Sequence, residues 1–297
     1  MNRLFDKTKR RRYFEGWYFK QQNSQSSLAF IPAFHVNDAK EASASLQVVT
    51  DTQAYTLDFP AHAFHIDRKK ARIRLGKSVF SPGGCTLQAA SKTCSVSGSL
   101  RFGPLSPPGY DIMGPFSLIP FMECRHSVFS LFHRVSGLVR VNGTPFCFKE
   151  HSGYMEGDRG TSFPKRYVWT QCSFGGNSIM LSVAEIPFGL FSFTGCIGFI
   201  FLNGREHRIA TYCGAKLLHV SNDTVLLRQG GLVLKVKMLH ANGRLLRAPH
   251  QGSMSRTIHE SVACPVQYTC MQDGRILFDF INERASFENN WETPKNP

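Results

Sequence analysis

The chain has 297 residues, and with 42% apolar and 19% charged residues it can bury a sizeable core, which excludes global disorder. Its formal net charge is +14, but residues 1–12 and 67–77 each carry six basic residues and one Asp, leaving the rest nearly balanced. That concentration in two patches argues against a nucleic-acid surface along the whole chain.

In chain order, the basic arm (MNRLFDKTKRRR) runs into Tyr13-Phe14-Glu15-Gly16-Trp17-Tyr18-Phe19-Lys20, which reads as an aromatic strand. A polar turn leads to a second strand holding Ala29-Phe30-Ile31-Pro32. His62 and His65 form the one closely spaced histidine pair, and a spacing of three places them on opposite faces of a strand. Ala71, Ile73 and Leu75 alternate with Arg72 and Arg74, the period of a half-buried strand. Residues 113–135 carry Phe116, Phe121, Phe129 and Phe132, which suits either a core strand pair or the wall of a lipophilic pocket.

Ser136-Gly137 and Asn142-Gly143 punctuate the middle of the chain, and a boundary between domains 1–140 and 141–297 is expected there. Beyond it, residues 151–172 form a polar, turn-rich stretch with Glu156 and Asp158 that enters a strand with Tyr167 and Trp169. The long apolar run 186–202 contains Pro187 and three glycines and stops at Asn203-Gly204, so it reads as paired buried strands. Gly175-Gly176, Asn203-Gly204, Gly230-Gly231, Asn242-Gly243 and Asp273-Gly274 are further hairpin signals; residues 231–239 alternate between them. Many short strands at this spacing predict an all-β chain of antiparallel barrels or sandwiches.

Nine cysteines, an odd number with no C-x-x-C, predict reduced and mostly buried thiols and a cytoplasmic location. Common nucleotide, zinc-protease and serine-hydrolase signatures are missing, and neither a metal nor a cofactor is expected. A short internal repeat matches the strand pair that follows Trp17 to the one that follows Trp169, each ending in Ala-x-Ile-Pro. It predicts two related β domains.

Several blocks carry a family resemblance. Gly16-x-Tyr18 encloses Trp17 in a strand similar to the Gly-x-Trp opening of lipocalin barrels. Phe14 to Lys20, and Gly153-Tyr154-Met155-Glu156-Gly157-Asp158 with Phe163-Pro164 and Trp169-x-Gln171-Cys172, resemble two signature blocks of the tocopherol cyclase family. Gly114-Pro115-Phe116, Pro120-Phe121-Met122-Glu123-Cys124 and His126 are similar to its central block. Pro249, Gly252-Ser253-Met254 and Ile258-His259-Glu260 resemble a late one, so the likeness spans residues 13 to about 260. One departure is Arg159 before Gly160, where the family usually has Trp.

The resemblance implies two lipocalin-like antiparallel β-barrels in tandem, with a more distant similarity to carotenoid hydratases and certain pericyclic cyclases. It implies proton-initiated cyclisation of a prenylated benzoquinol or a related polyene in a dry pocket, with a non-catalytic binder of the same fold as the alternative. Such chemistry needs a carboxylic acid kept protonated by burial, aromatic faces for a carbocation, and exclusion of water. Glu156 and Asp158 are the candidate acids, with Glu15 and Glu123 behind them. Trp17, Tyr18, Tyr154, Trp169, Phe121 and Arg159 are the candidate substrate contacts. Arg159 is a candidate partner for Asp158 or Glu156 that would hold a carboxylate ionised. The expected partner is a lipophilic small molecule, not nucleic acid, and the two basic patches suggest a weak peripheral contact with an anionic membrane.

Overall fold

The computed structural model describes residues 11–67, 69–120, 122–188, 191–241 and 243–291. The chain is almost entirely strand. In order these are β1 (Tyr13–Gln22), β2 (Ser27–Val36), β3 (Ala42–Thr50), β4 (Ala54–Pro60), β5 (Phe64–Asp67), β6 (Arg72–Leu75), β7 (Ser78–Ser81), β8 (Gly84–Ala90), β9 (Ser95–Phe102), β10 (Cys124–Val141) and β11 (Thr144–Gly160). The second series is β12 (Tyr167–Phe174), β13 (Asn177–Phe188), β14 (Phe191–Leu202), β15 (Arg205–Ala210), β16 (Lys216–Val220), β17 (Thr224–Gln229), β18 (Leu232–Met238), β19 (Arg244–His250), β20 (Ser253–Gln272) and β21 (Arg275–Asn289).

Each series forms one antiparallel sheet. The first runs β4-β3-β2-β1-β11-β10-β9-β8-β7-β6-β5, and the second runs β15-β14-β13-β12-β21-β20-β18-β17-β16 with β19 beside β20. Both place the first strand of the series against its last, with the early strands to one side and the late ones to the other. The expected duplication is therefore present as shared strand order. In the first sheet, Leu57 on edge strand β4 and Phe64 on edge strand β5 join one core with Trp17, Phe30 and Phe80, so the sheet coils around its apolar face. A second core, with Val168, Leu227, Tyr268 and Phe287, fills the second unit.

Hairpin chemistry sets these pairings. Asn142-Gly143, Gly175-Gly176, Asn203-Gly204 and Asp273-Gly274 all have positive φ at both positions, and each joins two paired strands. Such two-residue turns twist the same way as the strands they connect. Asn242 lies outside the described residues. The apolar run at 186–202 divides between β13 and β14, which pair from Ser178–Phe201 to Phe188–Phe191. No helix among the described residues is long and apolar enough to cross a membrane. All nine cysteines are free thiols; Cys147 and Cys213 are exposed and Cys124 is half-buried.

Two sequence expectations need correction. Asn142-Gly143, expected to separate the halves, is a hairpin inside the first sheet, which continues through β11 to Gly160. Moreover, residues 109–122 belong to the second compact unit and residues 247–257 to the first. The repeat was also aligned on the wrong residues. Trp17 belongs to the first core, whereas in β12 the core-facing residues are Val168 and Cys172, and alternation turns Trp169 to the other face. In a strand an offset of one residue exchanges faces, so the two tryptophans hold different stations.

The segment from residue 247 docks through backbone. Arg247 N–H donates to Gln47 Oε1 (3.1 Å), and Gln47 Nε2 returns a bond to the Arg247 carbonyl (3.1 Å). Gly252 has φ +76°, and a Cβ there would stand 2.1 Å from the Val36 carbonyl oxygen and 2.4 Å from the Tyr13 nitrogen. Both obstacles are backbone and cannot swing aside. Gly252→Ala is therefore expected to lower stability by roughly 2–4 kcal/mol, read as an earlier midpoint in a urea titration.

Two buried histidines give the first unit an acid limit. His133 is pushed down to about 3 by burial. His35 is pushed down to about 4 by burial and then by the Arg247 charge. Unfolded imidazoles take up protons near pH 6.5, so stability falls as pH drops from about 6.5 towards those folded values. By pH 4.5 each would cost roughly 2–3 kcal/mol. Urea midpoints at pH 7 and 4.5 test this: His133→Phe should flatten the acid slope, and an unchanged slope would refute the assignment.

Candidate functional site

The residues 153–158 alternate along β11. Gly153, Met155 and Gly157 face the core of the first unit, with Met155 inside it. The two glycines are needed there. A Cβ at 153 would lie 2.4 Å from His133 Nε2, and one at 157 would meet the Gly16 carbonyl oxygen at 2.8 Å and the Trp17 ring at 3.2 Å. Tyr154, Glu156 and Asp158 consequently share the opposite face of the strand.

Neighbouring strands complete that face. Across β1, Tyr18 pairs with Glu156 and Lys20 with Tyr154. Across β10, His126 pairs with Asp158 and Val128 with Glu156. Glu156, Tyr154, Tyr18, Lys20 and His126 are all buried, and Lys20 is only 1% exposed. A lysine, a histidine and two carboxylates gathered on one buried face are unusual for a sheet that needs only to be stable.

His126 is the hub. Its Nδ1 is 2.9 Å from Asp158 Oδ1, and its Nε2 is 3.1 Å from Glu156 Oε2. Tyr154 donates its hydroxyl to the same Glu156 Oε2 at 2.5 Å, and the Cys124 thiol reaches Asp158 Oδ1 at 3.5 Å. Burial opposes charge on the imidazole, but Glu156 and Asp158 outweigh it and hold His126 well above its usual range. Burial, and then the Glu156 charge, hold the Tyr154 phenol well above its own range, so it remains a donor. The contacts of Tyr154 and His126 to Glu156 both fall on Oε2.

One donor atom from each of His126, Glu156 and Asp158 lies within 4.8 Å of the others, the spacing of a metal centre. The orientation is unsuitable for one. The two carboxylates take opposite ring nitrogens, whereas a cation held by all three would need both carboxylates on the side of a single unprotonated nitrogen. The arrangement is that of an imidazolium clamped between two anions.

The other expected residues fall elsewhere. Trp17 lies in the core, stacked on Phe64 at 6.0 Å and on the far face of β1 from Tyr18. Arg159 does not supply the cation for the carboxylates. Alternation turns it to the opposite face from Asp158, in register with Glu15 and Arg125, and His126 takes the role instead. Glu15 accepts the Tyr13 hydroxyl at 2.7 Å. Trp169 stands in the second unit opposite Glu288, which accepts the Tyr167 hydroxyl and lies across from Glu260. Phe121 is outside the described residues. Sequence reasoning did not assign a role to His126 or Lys20, although both lie inside the blocks that carried the resemblance.

Comparison with known proteins places the fold. No family model and no curated protein matches the chain. Among solved structures it resembles CghA, solved with Sch210972, at a TM-score of 0.59 and 9% identity, over 94% of this chain and 89% of that one. It also resembles kievitone hydratase from Nectria haematococca (TM-score 0.53, 9% identity, 94% and 89% coverage). An AttH-type protein from Nitrosomonas europaea gives a TM-score of 0.51 at 10% identity, over 94% and 92% of the two chains. The chain thus has the tandem all-β fold of these proteins. At such identities the likeness concerns fold alone and does not single out tocopherol cyclases.

Proposed function

We propose that the protein is an acid–base enzyme acting on a lipophilic prenylated or polyene substrate, with cyclisation of a prenylated benzoquinol as its most specific form. The observation that carries this reading is the buried His126 clamped between Glu156 and Asp158, with Tyr154 on the same carboxylate. Such a group stores a proton away from water and can return it.

In the forward step His126 passes a proton to Glu156, and the carboxyl delivers it to one carbon of a trisubstituted double bond. The alkene electron pair becomes the new C–H bond and leaves a tertiary cation. A phenol oxygen of the same substrate supplies the pair for the new C–O bond, and its proton returns to the carboxylate–imidazole group. The product is an isomer of the substrate, and no external oxidant or reductant enters. Capture by water instead would make the reaction a hydration, the chemistry in the name of one structural neighbour. Tyr154 and the imidazolium steady Glu156 while it is ionised.

The test is incubation of purified protein with a prenylated benzoquinol, followed by mass spectrometry and chromatography for the chroman. Formation of the chroman by wild type but not by Glu156→Gln supports the reading. Tight quinol binding without cyclised or hydrated product would instead leave a non-catalytic binder.

A further inference from the structure

Two residues of the second basic patch, Lys70 and Arg72, line a groove of about 700 Å³ on the first unit together with Arg101. Glycines shape the floor. Gly84 and Gly137 both have φ +140°, and a Cβ would come 2.1 Å from the Leu100 carbonyl oxygen at the first and 2.3 Å from that of Ser99 at the second. Neither position admits a side chain without moving the adjacent strand.

Its cations are not tied up in direct ion pairs. Lys70, Arg72 and Arg101 are exposed and form no ion pair among the described residues. No carboxylate lines the groove. The two acids nearest in register do not line it. Asp67, opposite Arg72, accepts the backbone N–H groups of Lys69 and Lys70. Glu150 accepts the Ser136 hydroxyl at 2.5 Å. A solvated basic face needs no concavity, whereas a concave site with two guanidinium groups suits a compact, multiply charged oxyanion. The lining contains no aromatic side chain, so it offers no platform for stacked bases.

We propose that this groove binds a phosphate or diphosphate group carried by a small ligand, with Arg72 and Arg101 as its principal contacts. The inference stands independently of the reaction assigned to His126 and Glu156. The volume is that of a small-molecule site, larger than a bare ion needs. The group could belong to a soluble phosphorylated compound or to a lipid headgroup, and the experiment distinguishes these sources.

Full-length ¹⁵N-labelled protein is titrated with inorganic pyrophosphate at low ionic strength, against sodium chloride at matched ionic strength. Saturable shifts are expected at the amides of Gly83, Gly84, Ser99 and Gly137. The double variant Arg72→Ser, Arg101→Ser, both exposed positions checked for folding by circular dichroism, should weaken binding at least tenfold. A parallel arm measures cosedimentation with phosphatidylcholine vesicles with and without phosphatidic acid. Pyrophosphate binding alone identifies a soluble ligand; vesicle binding that needs phosphatidic acid and both arginines identifies a lipid headgroup. No saturable response to either probe, or equal responses from the double variant, overturns the proposal.

Discussion

With a turned-over prenylated quinol in hand, Glu156→Gln is expected to cut kcat by roughly 10²–10⁴-fold, the usual contribution of a positioned general acid. The amide nearly matches the carboxyl in shape, so the fold and the Tyr154 contact should survive and KM should move little. It cannot relay a proton, and it removes one of the two anions that hold His126 above its ordinary range. The loss should therefore fall on the chemical step. Tyr154→Phe makes a graded comparison: it deletes one donor to Glu156 Oε2 and should cost about tenfold or less. A Glu156→Gln enzyme that retains wild-type kcat would end the acid–base reading.

The second large effect concerns stability. His126→Phe should destabilise the protein by about 3–5 kcal/mol, since it removes the imidazolium that lies against both Glu156 and Asp158 on one largely buried face. For a chain of this size that corresponds to a fall in Tm of roughly 5–8 °C. Adding Glu156→Gln to His126→Phe should recover part of the loss, because only one anion then remains; simple cavity or packing damage would show no such rescue. The pH dependence has a definite sign. The folded pKa of His126 is raised, so its stabilisation is complete below the unfolded value near 6.5 and disappears as pH rises through the folded value. The gap between wild type and His126→Phe should accordingly narrow on the alkaline side. His133 and His35, whose pKa values are depressed, act in the opposite sense and only in acid.

The strand architecture was legible because turns are local. A pair such as Asn203-Gly204 needs positive φ, and that requirement is written in the two residues themselves. The alternation of Gly153, Met155 and Gly157 against Tyr154, Glu156 and Asp158 was visible in the same way. His126 was not, and the reason is register. At the hairpin end Val141 pairs with Thr144, and counting down without interruption would bring His126 opposite Arg159, on the wrong face. Bulges near Ser130 and Val135 shift the partner to Asp158. A bulge depends on neighbouring strands, so one chain read by itself does not reveal it. The misaligned tryptophans are also a matter of register: Ala29 pairs with Lys20, three residues from Trp17, whereas Ala184 pairs with Tyr167, two residues from Trp169, so the shared Ala-x-Ile-Pro does not mark the same face relative to the two tryptophans.

The exchange of segments between the two units bears on how the protein can be made. Residues 247–257 join the first unit, while residues 109–122, which come between β9 and β10, join the second. No single cut releases either half intact. On the ribosome the N-terminal unit must wait for nearly all of the polypeptide before Arg247 can reach Gln47. The first sheet has all its strands once Gly160 is made, but its unit lacks the 247–257 segment until most of the chain has been synthesised.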